Sequence, residues 1–158
     1  MCEAVGQKYM NLKPIFFGGL IAGTLDLTAA CIAAWLRSGV GPVRVMQSVS
    51  SGLLGADSYS GGAKTAVLGV ALHFFIATVA TAVFYFASRK WLFLIERPIH
   101  FGLLYGVAVY LFMNFVVLPL SAVPQRATPT LTSRFIQLLI IMFCIGLPIA
   151  AVVRRFSR

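Results

Sequence analysis

The stretch AVLGVALHFFIATVATAVFYFAS at residues 66–88 contains a single side chain that can carry a charge near neutral pH, His73, within 23 residues. A helix of about 20 residues crosses the ~30 Å hydrocarbon core of a membrane at ~1.5 Å per residue. Backbone polar groups in lipid must be satisfied within the segment, so such a stretch is predicted to be helical. Three further windows have this length and character, and the sequence therefore predicts an all-α integral membrane bundle of four transmembrane helices in one domain, residues 1–158, with the other helices at about 15–36, 99–121 and 135–153.

The composition of the chain supports a membrane environment. Hydrophobic residues make up 59% of the 158 residues and charged residues 11%, whereas a soluble domain is about 25% charged. The net charge of +9 would suit nucleic acid if the basic residues formed a patch with aromatic residues between them. They stand instead in short groups between apolar runs, as in loops that face anionic headgroups. The predicted partner is the lipid bilayer, and nucleic acid is not expected.

The distribution of basic residues predicts the orientation of the helices. Cytoplasmic loops of membrane proteins carry an excess of Lys and Arg. With a cytoplasmic N-terminus, eight basic residues lie on the cytoplasmic side: Lys8, Lys13, Arg89, Lys90, Arg97, Arg154, Arg155 and Arg158. Five lie on the other side: Arg37, Arg44, Lys64, Arg126 and Arg134. The sequence therefore predicts that both termini are cytoplasmic.

The first connection, residues 37–65, is long and patterned. Gly41 and Pro42 can begin a helix, since proline suits the first helical position, and Gly55 can end it. Apolar and polar residues recur on opposite faces at helical spacing: Val43, Met46, Val49 and Leu53 against Arg44, Gln47, Ser48 and Ser51. A short helix lying in the membrane interface or dipping into the bilayer fits this pattern. An ordered surface loop fits it equally well, and the sequence leaves both open.

Two glycine pairs suggest an internal repeat. Gly19-Leu20-Ile21-Ala22-Gly23 in the first predicted helix matches Gly102-Leu103-Leu104-Tyr105-Gly106 in the third. Small residues at this spacing let two helices approach closely in a membrane. We therefore expect Gly19, Gly23, Gly102 and Gly106 to lie in helix contacts. Because the first and third helices run in the same direction, the match predicts two parallel helical hairpins.

Polar residues inside the spans are the candidate site. Asp26 is the most informative, because a carboxylate at mid-membrane costs about 2.5 to 3.5 kcal/mol on insertion scales. It should face protein or water, and His73 lies at a similar depth in the second helix. The third and fourth helices add Asn114, with Tyr110 below it, and Gln137. The sequence thus predicts an intramembrane polar cluster of Asp26, His73, Asn114, Gln137 and Tyr110.

Enzyme chemistry is not indicated. A nucleophilic triad, a zinc site or a two-carboxylate mechanism needs residues that this chain lacks at a reachable depth. The three cysteines form no CxxC pair. His73 and His100 belong near opposite faces of the membrane, which excludes haem ligation by two histidines. We predict no catalytic residues, no metal and no cofactor.

Two functions remain. In the first, a non-enzymatic membrane protein uses the polar cluster to hold its bundle together, as one subunit of a larger membrane complex. In the second, a small transporter or proton-coupled permease uses Asp26 and His73, as a homo-oligomer. The sequence favours the first function, because a single carboxylate provides few groups for a transport pathway. A water-filled cavity reaching Asp26 would favour the second, and a dry, fully paired cluster the first.

Three segments carry a family resemblance: residues 73–88, residues 100–106, and residues 114–121 followed by Pro124. They resemble small bacterial inner-membrane proteins of unassigned function and are remotely similar to the YagU-like family, over roughly residues 14–155. The resemblance implies a four-helix protein of the bacterial cytoplasmic membrane. YagU-like proteins carry histidine where Asn114 stands and have no match for Asp26, so the resemblance implies no shared site and no activity.

Overall fold

The computed structural model describes residues 12–124 and 130–157, which contain helices and no strand. A 3-10 turn at Gly55–Tyr59 follows the second helix. We number the helices in chain order: α1 Lys13–Ser38, α2 Pro42–Leu54, α3 Gly62–Lys90, α4 Phe93–Glu96, α5 Pro98–Leu120 and α6 Leu131–Ser157.

Four of these helices are long and apolar enough to cross a membrane: α1, α3, α5 and α6. Many of their large apolar side chains point outward, as Phe75 does with 66% of its surface exposed. A soluble protein rarely exposes large contiguous apolar patches. Outward-facing hydroxyls are satisfied within their own helix, since Thr24 donates to the Leu20 carbonyl at 2.8 Å. The chain is a multi-pass membrane protein, and the prediction of an all-α bundle with four spanning helices is confirmed.

The bundle has two distinct ends. Neighbouring spans are antiparallel, with α1 against α3 and α5 against α6, and α1 also contacts α6. We call one end the loop end; there the Arg37 guanidinium of α1 donates to the Ser133 hydroxyl of α6, and α2 lies at this end. The other is the terminal end, where the rings of Phe17 and Phe156 stack with centroids 5.9 Å apart.

The glycine pairs lie where each hairpin packs on itself. A Cβ on Gly19 would come within 2.8 Å of the Thr78 Cα in α3, and a Cβ on Gly23 within 2.9 Å of the Phe74 ring. Gly102 and Gly106 face α6 in the same way, and Gly146 of α6 is more tightly placed than any of these four, because its Cβ would overlap the Gly102 carbonyl oxygen. Both contacts therefore depend on the absence of a side chain.

The terminal half of the bundle is a closed apolar core. Its centre consists of Ala22 from α1, Phe84 from α3, and Ile145, Ile149 and Val153 from α6, each at most 6% exposed. Three spanning helices thus meet here in one packed apolar cluster.

Two prolines lie inside spans, Pro119 one residue before the end of α5 and Pro148 well inside α6. Pro119 follows a π-helical turn at Met113–Val117 in α5, and Pro148 follows another at Ile141–Gly146 in α6. Proline removes one backbone donor and clashes with the carbonyl four residues earlier. A π turn changes the hydrogen-bond register immediately before the proline, and α6 continues past Pro148 to Ser157, whereas α5 ends one residue after Pro119.

The helix predicted in the first connection is present as α2, which Gly41 and Pro42 begin and Gly55 ends. Its orientation is the reverse of an interfacial helix, which turns its polar face to water. Gln47, Ser50 and Ser51 are buried against protein, while Val43 and Leu53 are 55% and 63% exposed. α2 therefore packs its polar face on protein and leaves part of its apolar face exposed.

Polar contacts attach α2 firmly to the start of α3. The Gln47 side-chain amide donates to the Gly62 carbonyl at 3.0 Å, and the Ser58 hydroxyl donates to the Gln47 carbonyl at 3.0 Å. The Thr65 hydroxyl in turn donates to the Ser58 carbonyl at 2.6 Å. Gly69 lets the α2 backbone approach, because a Cβ there would overlap the Met46 carbonyl. As a result α2 forms a fixed wall beside the bundle.

Candidate functional site

A cavity of about 680 Å³ lies between α1, α2 and α6 in the loop-end half of the bundle. This volume is within the range of sites that bind small molecules. Polar and charged side chains from all three helices, and from the turn after α2, line it together with small and aliphatic residues. The polar and charged lining residues are Asp26, Arg37, Ser38, Arg44, Ser48, Tyr59, Ser133 and Gln137.

One face of α1 forms a wall of the cavity from its floor to its rim. Asp26, Ala30, Ala33, Ala34 and Arg37 all line it, at the spacing that places residues on one side of a helix. Asp26 is 12 residues from the end of α1 at Ser38, or ~18 Å at ~1.5 Å per residue. The alanines leave the space open, so the cavity reaches a carboxylate near the middle of the span.

Asp26 has a histidine neighbour but no hydrogen-bond donor among the described residues. Its Oδ2 lies 3.9 Å from Nε2 of His73, and its side chain is 16% exposed. A carboxylate offers about four acceptor positions. Those of Asp26 face the cavity, where water, a proton or a ligand can occupy them.

His73 uses its proton elsewhere. Its Nε2 lies 2.9 Å from the carbonyl oxygen of Gly23 in α1. Because a carbonyl oxygen only accepts, Nε2 carries a hydrogen and donates it to Gly23. His73 therefore joins α3 to α1 at the level of Asp26, and the Asp26 carboxylate is stabilised by it only through a longer electrostatic contact.

The structure brings together part of the predicted polar cluster. Gln137 of α6 lines the same cavity as Asp26, and His73 lies beside Asp26. Asn114 instead donates to the Tyr110 carbonyl one turn back in its own helix, at 2.9 Å, a common use of such side chains. Tyr110 is half-buried against the apolar core. Within the described residues, no hydrogen bond connects Asn114 or Tyr110 with Asp26.

Two arginines at the rim were not predicted as site residues. Arg37 is fixed by its hydrogen bond to Ser133 at 2.5 Å. Arg44 of α2 stacks on the ring of Tyr59, with its guanidinium carbon 4.2 Å from the ring centroid. The sequence contained a signal for Arg37, which is 11 residues after Asp26 and so on the same helix face. Arg44 had no such signal, because only the packing of α2 places it there.

No protein-family model, curated protein or solved structure matches this chain. The site must therefore be interpreted from its own geometry. Over residues 12–124 and 130–157, no three histidine, cysteine or acidic side chains come together in a way that could hold a metal ion. The arrangement offers a polar, partly charged pocket with one carboxylate at its floor and two guanidinium groups at its rim.

Proposed function

We propose that this chain is a small permease, and that it binds a polar solute in the cavity between α1, α2 and α6. The observation that carries the proposal is that the cavity reaches Asp26 near the middle of the span. A buried carboxylate without a hydrogen-bond donor is costly in a membrane and typical of a solute or ion pathway. A packing residue would have its acceptors filled, whereas those of Asp26 are available.

The asymmetry of the bundle supports a transport cycle. The loop-end half contains the cavity, while the terminal half is closed by the core around Phe84 and Ile149. A transporter opens its site to one side at a time. The π turn Ile141–Gly146 lies between the two halves, since Ile141 lines the cavity and Ile145 belongs to the core. Such turns frequently occur at functional sites, so α6 is the helix that we expect to move.

A packing role is the second candidate. The His73 bond to the Gly23 carbonyl, and the bond that the Tyr105 hydroxyl donates to the Ala80 carbonyl at 2.6 Å, hold three spans together. Each such bond contributes about 0.6 to 2 kcal/mol in a membrane. These contacts are compatible with either function, since a permease also needs a defined bundle. They support a purely structural role only if the cavity is dry.

We further propose a location in the bacterial cytoplasmic membrane, with both termini in the cytoplasm and the cavity open to the opposite side. The excess of basic residues at the terminal end and the resemblance to small bacterial inner-membrane proteins of the YagU-like kind support this. The protein would be non-enzymatic. Assembly as a homo-oligomer, or as one subunit of a membrane complex, would cover part of the exposed apolar surface.

A sidedness measurement tests the orientation. In a background without the native cysteines, a single cysteine in the 56–62 stretch should react with an impermeant maleimide added to spheroplasts. A cysteine placed after Arg155 should react only once the membrane is permeabilised. The reverse pattern would place the cavity mouth in the cytoplasm, and reaction of both from one side would contradict an even number of spans.

A labelling measurement tests whether the cavity holds water. Ala30→Cys lies on the cavity wall one turn from Asp26, whereas Ile32→Cys lies at similar depth with its side chain 55% exposed on the outside of the bundle. We expect a water-soluble methanethiosulfonate to modify Ala30→Cys at least about tenfold faster, because the thiolate reacts and it forms only in water.

Ile32→Cys is the matched control, since it lies within ~3 Å of the depth of Ala30 but on the outer face of α1. Equal, slow modification of both variants would mean that the cavity is dry. The permease would then be rejected, and the packing role would be the better account of Asp26 and His73.

A further inference from the structure

The two ends of the cavity carry opposite charge, and from this we infer the chemical class of its ligand. We propose that the cavity binds a small amphoteric solute, with its acidic group at Arg37 and Arg44 and its basic group at Asp26. The proposal rests on the proposed permease function and goes beyond it by naming the substrate class.

The positive end is built from two helices. Arg37 belongs to α1 and Arg44 to α2, and both line the cavity. Each side chain is held by a neighbour that leaves donors free. Arg37 donates one Nη2 bond to Ser133, and Arg44 is held by the face of the Tyr59 ring. A guanidinium has five N–H donors in a planar fork that matches carboxylate and phosphate.

The negative end is Asp26 alone. It is the one acidic side chain among the residues that line the cavity, and its oxygens receive no hydrogen bond from the described part of the chain. A carboxylate with free acceptors favours an ammonium group or another cation with donors. His73, at 3.9 Å, already donates its Nε2 hydrogen to Gly23.

The spacing of the two ends selects an elongated ligand. Asp26 and Arg37 are 11 residues apart on α1, which separates their Cα atoms by ~16 Å along the axis, and the arginine side chains shorten this gap. The wall between them consists of Ala30, Ala33 and Ala34. A chain of methylene groups between the two charged ends would pack against these alanines.

A phospholipid fits the site less well than a soluble molecule. Both charges of a zwitterionic headgroup lie at the membrane surface, and its acyl chains point to the bilayer centre. In this cavity the inner end is a carboxylate ~18 Å from the end of α1, where a lipid would place hydrocarbon. The geometry therefore points to a soluble ω-amino acid or a molecule of similar charge distribution.

Calorimetric titration of the purified protein tests this inference with three probes of similar length: ε-aminocaproate, caproate and hexylamine. We expect ε-aminocaproate to bind about tenfold or more tightly than either single-charge probe, since each lost charge pair costs at least a factor of ten. Glycine, in which the two charges are adjacent, should bind weakly because it cannot reach both ends.

Variants test which end of the cavity binds the acidic group of the ligand and which end binds its basic group. Asp26→Asn should reduce the affinity for ε-aminocaproate to that for caproate, and Arg37→Gln with Arg44→Gln should reduce it to that for hexylamine. Matched controls are Asp57→Asn and Arg134→Gln, which alter charges near the loop end that do not line the cavity; they should bind as the wild type does. Equal affinity for caproate and ε-aminocaproate, or no binding of ε-aminocaproate, would overturn the amphoteric class. Neither result would contradict the proposed permease function, because that function is tested separately by the labelling of Ala30→Cys.

Discussion

Gly146→Ala is expected to separate α5 from α6 and to lower the free energy of unfolding by about 3 kcal/mol or more. The added methyl group would overlap the carbonyl oxygen of Gly102 and lie 2.8 Å from the backbone nitrogen of Gly106. Backbone atoms cannot rotate away as a side chain can, so one helix has to shift as a whole. Unfolding in detergent, followed by circular dichroism during a titration with sodium dodecyl sulfate, measures the change.

Gly52→Ala is the matched control for this substitution. Gly52 also lies within a helix, α2, but the nearest atom to its added methyl group is the Ser121 Cβ at 3.9 Å, an ordinary contact distance. Alanine is favoured over glycine inside a helix by up to about 1 kcal/mol. We therefore expect Gly52→Ala to be neutral or stabilising. Similar stability of Gly146→Ala and Gly52→Ala would mean that α5 and α6 do not approach as closely as the structure has them.

Asp26→Asn should abolish proton-coupled flux while leaving the fold intact. The amide keeps the size of the carboxyl group but cannot take up and release a proton. It also avoids placing a charge near the centre of the membrane. Little stability is at risk, because the carboxylate has only the electrostatic contact with His73 at 3.9 Å. Vesicles containing the wild-type protein should show proton flux under an imposed pH gradient, and vesicles containing Asp26→Asn should match empty ones.

Asp57→Asn controls for the loss of a negative charge, since Asp57 is exposed in the turn after α2 and does not line the cavity. It should carry flux as the wild type does. Equal proton flux in wild type and Asp26→Asn would mean that Asp26 takes no part in proton movement. Background flux in both, with both folded, would favour the packing role that the sequence alone suggested.

Asp26 and His73 can be identified as neighbours from the sequence, but the partner of each polar atom cannot. Depth along the helices placed them at one level, and they are indeed neighbours. What it could not predict was that the Nε2 hydrogen of His73 goes to the Gly23 carbonyl. Backbone acceptors inside a helix are normally occupied, and only the close approach at Gly23 brings this one within reach. For the same reason Asn114 was grouped with the cluster, although it bonds to its own helix.

In the first connection, too, local sequence predicts some features of α2 and only the packing decides the others. Gly41, Pro42 and Gly55 marked the bounds of α2 because proline and glycine act through local backbone geometry. The amphipathic pattern also predicted two faces. The pattern does not predict which face packs against protein, because burial of Gln47 and Ser51 depends on partners in the turn after α2 and at the start of α3. Placement of Arg44 at the cavity rim follows from that packing.

By itself, then, the sequence determined the four spans, the glycine contacts as candidate packing surfaces and the presence of a carboxylate at mid-membrane. Each of these depends on short-range chemistry: the length of an apolar run, the absence of a side chain, the cost of a charge in lipid. The tertiary structure decided that Asp26 faces a cavity, that Arg37 and Arg44 meet at its rim, and that the terminal half is closed. These features depend on how α1, α2 and α6 are arranged around a shared space, and long-range packing between helices leaves no local pattern in the chain.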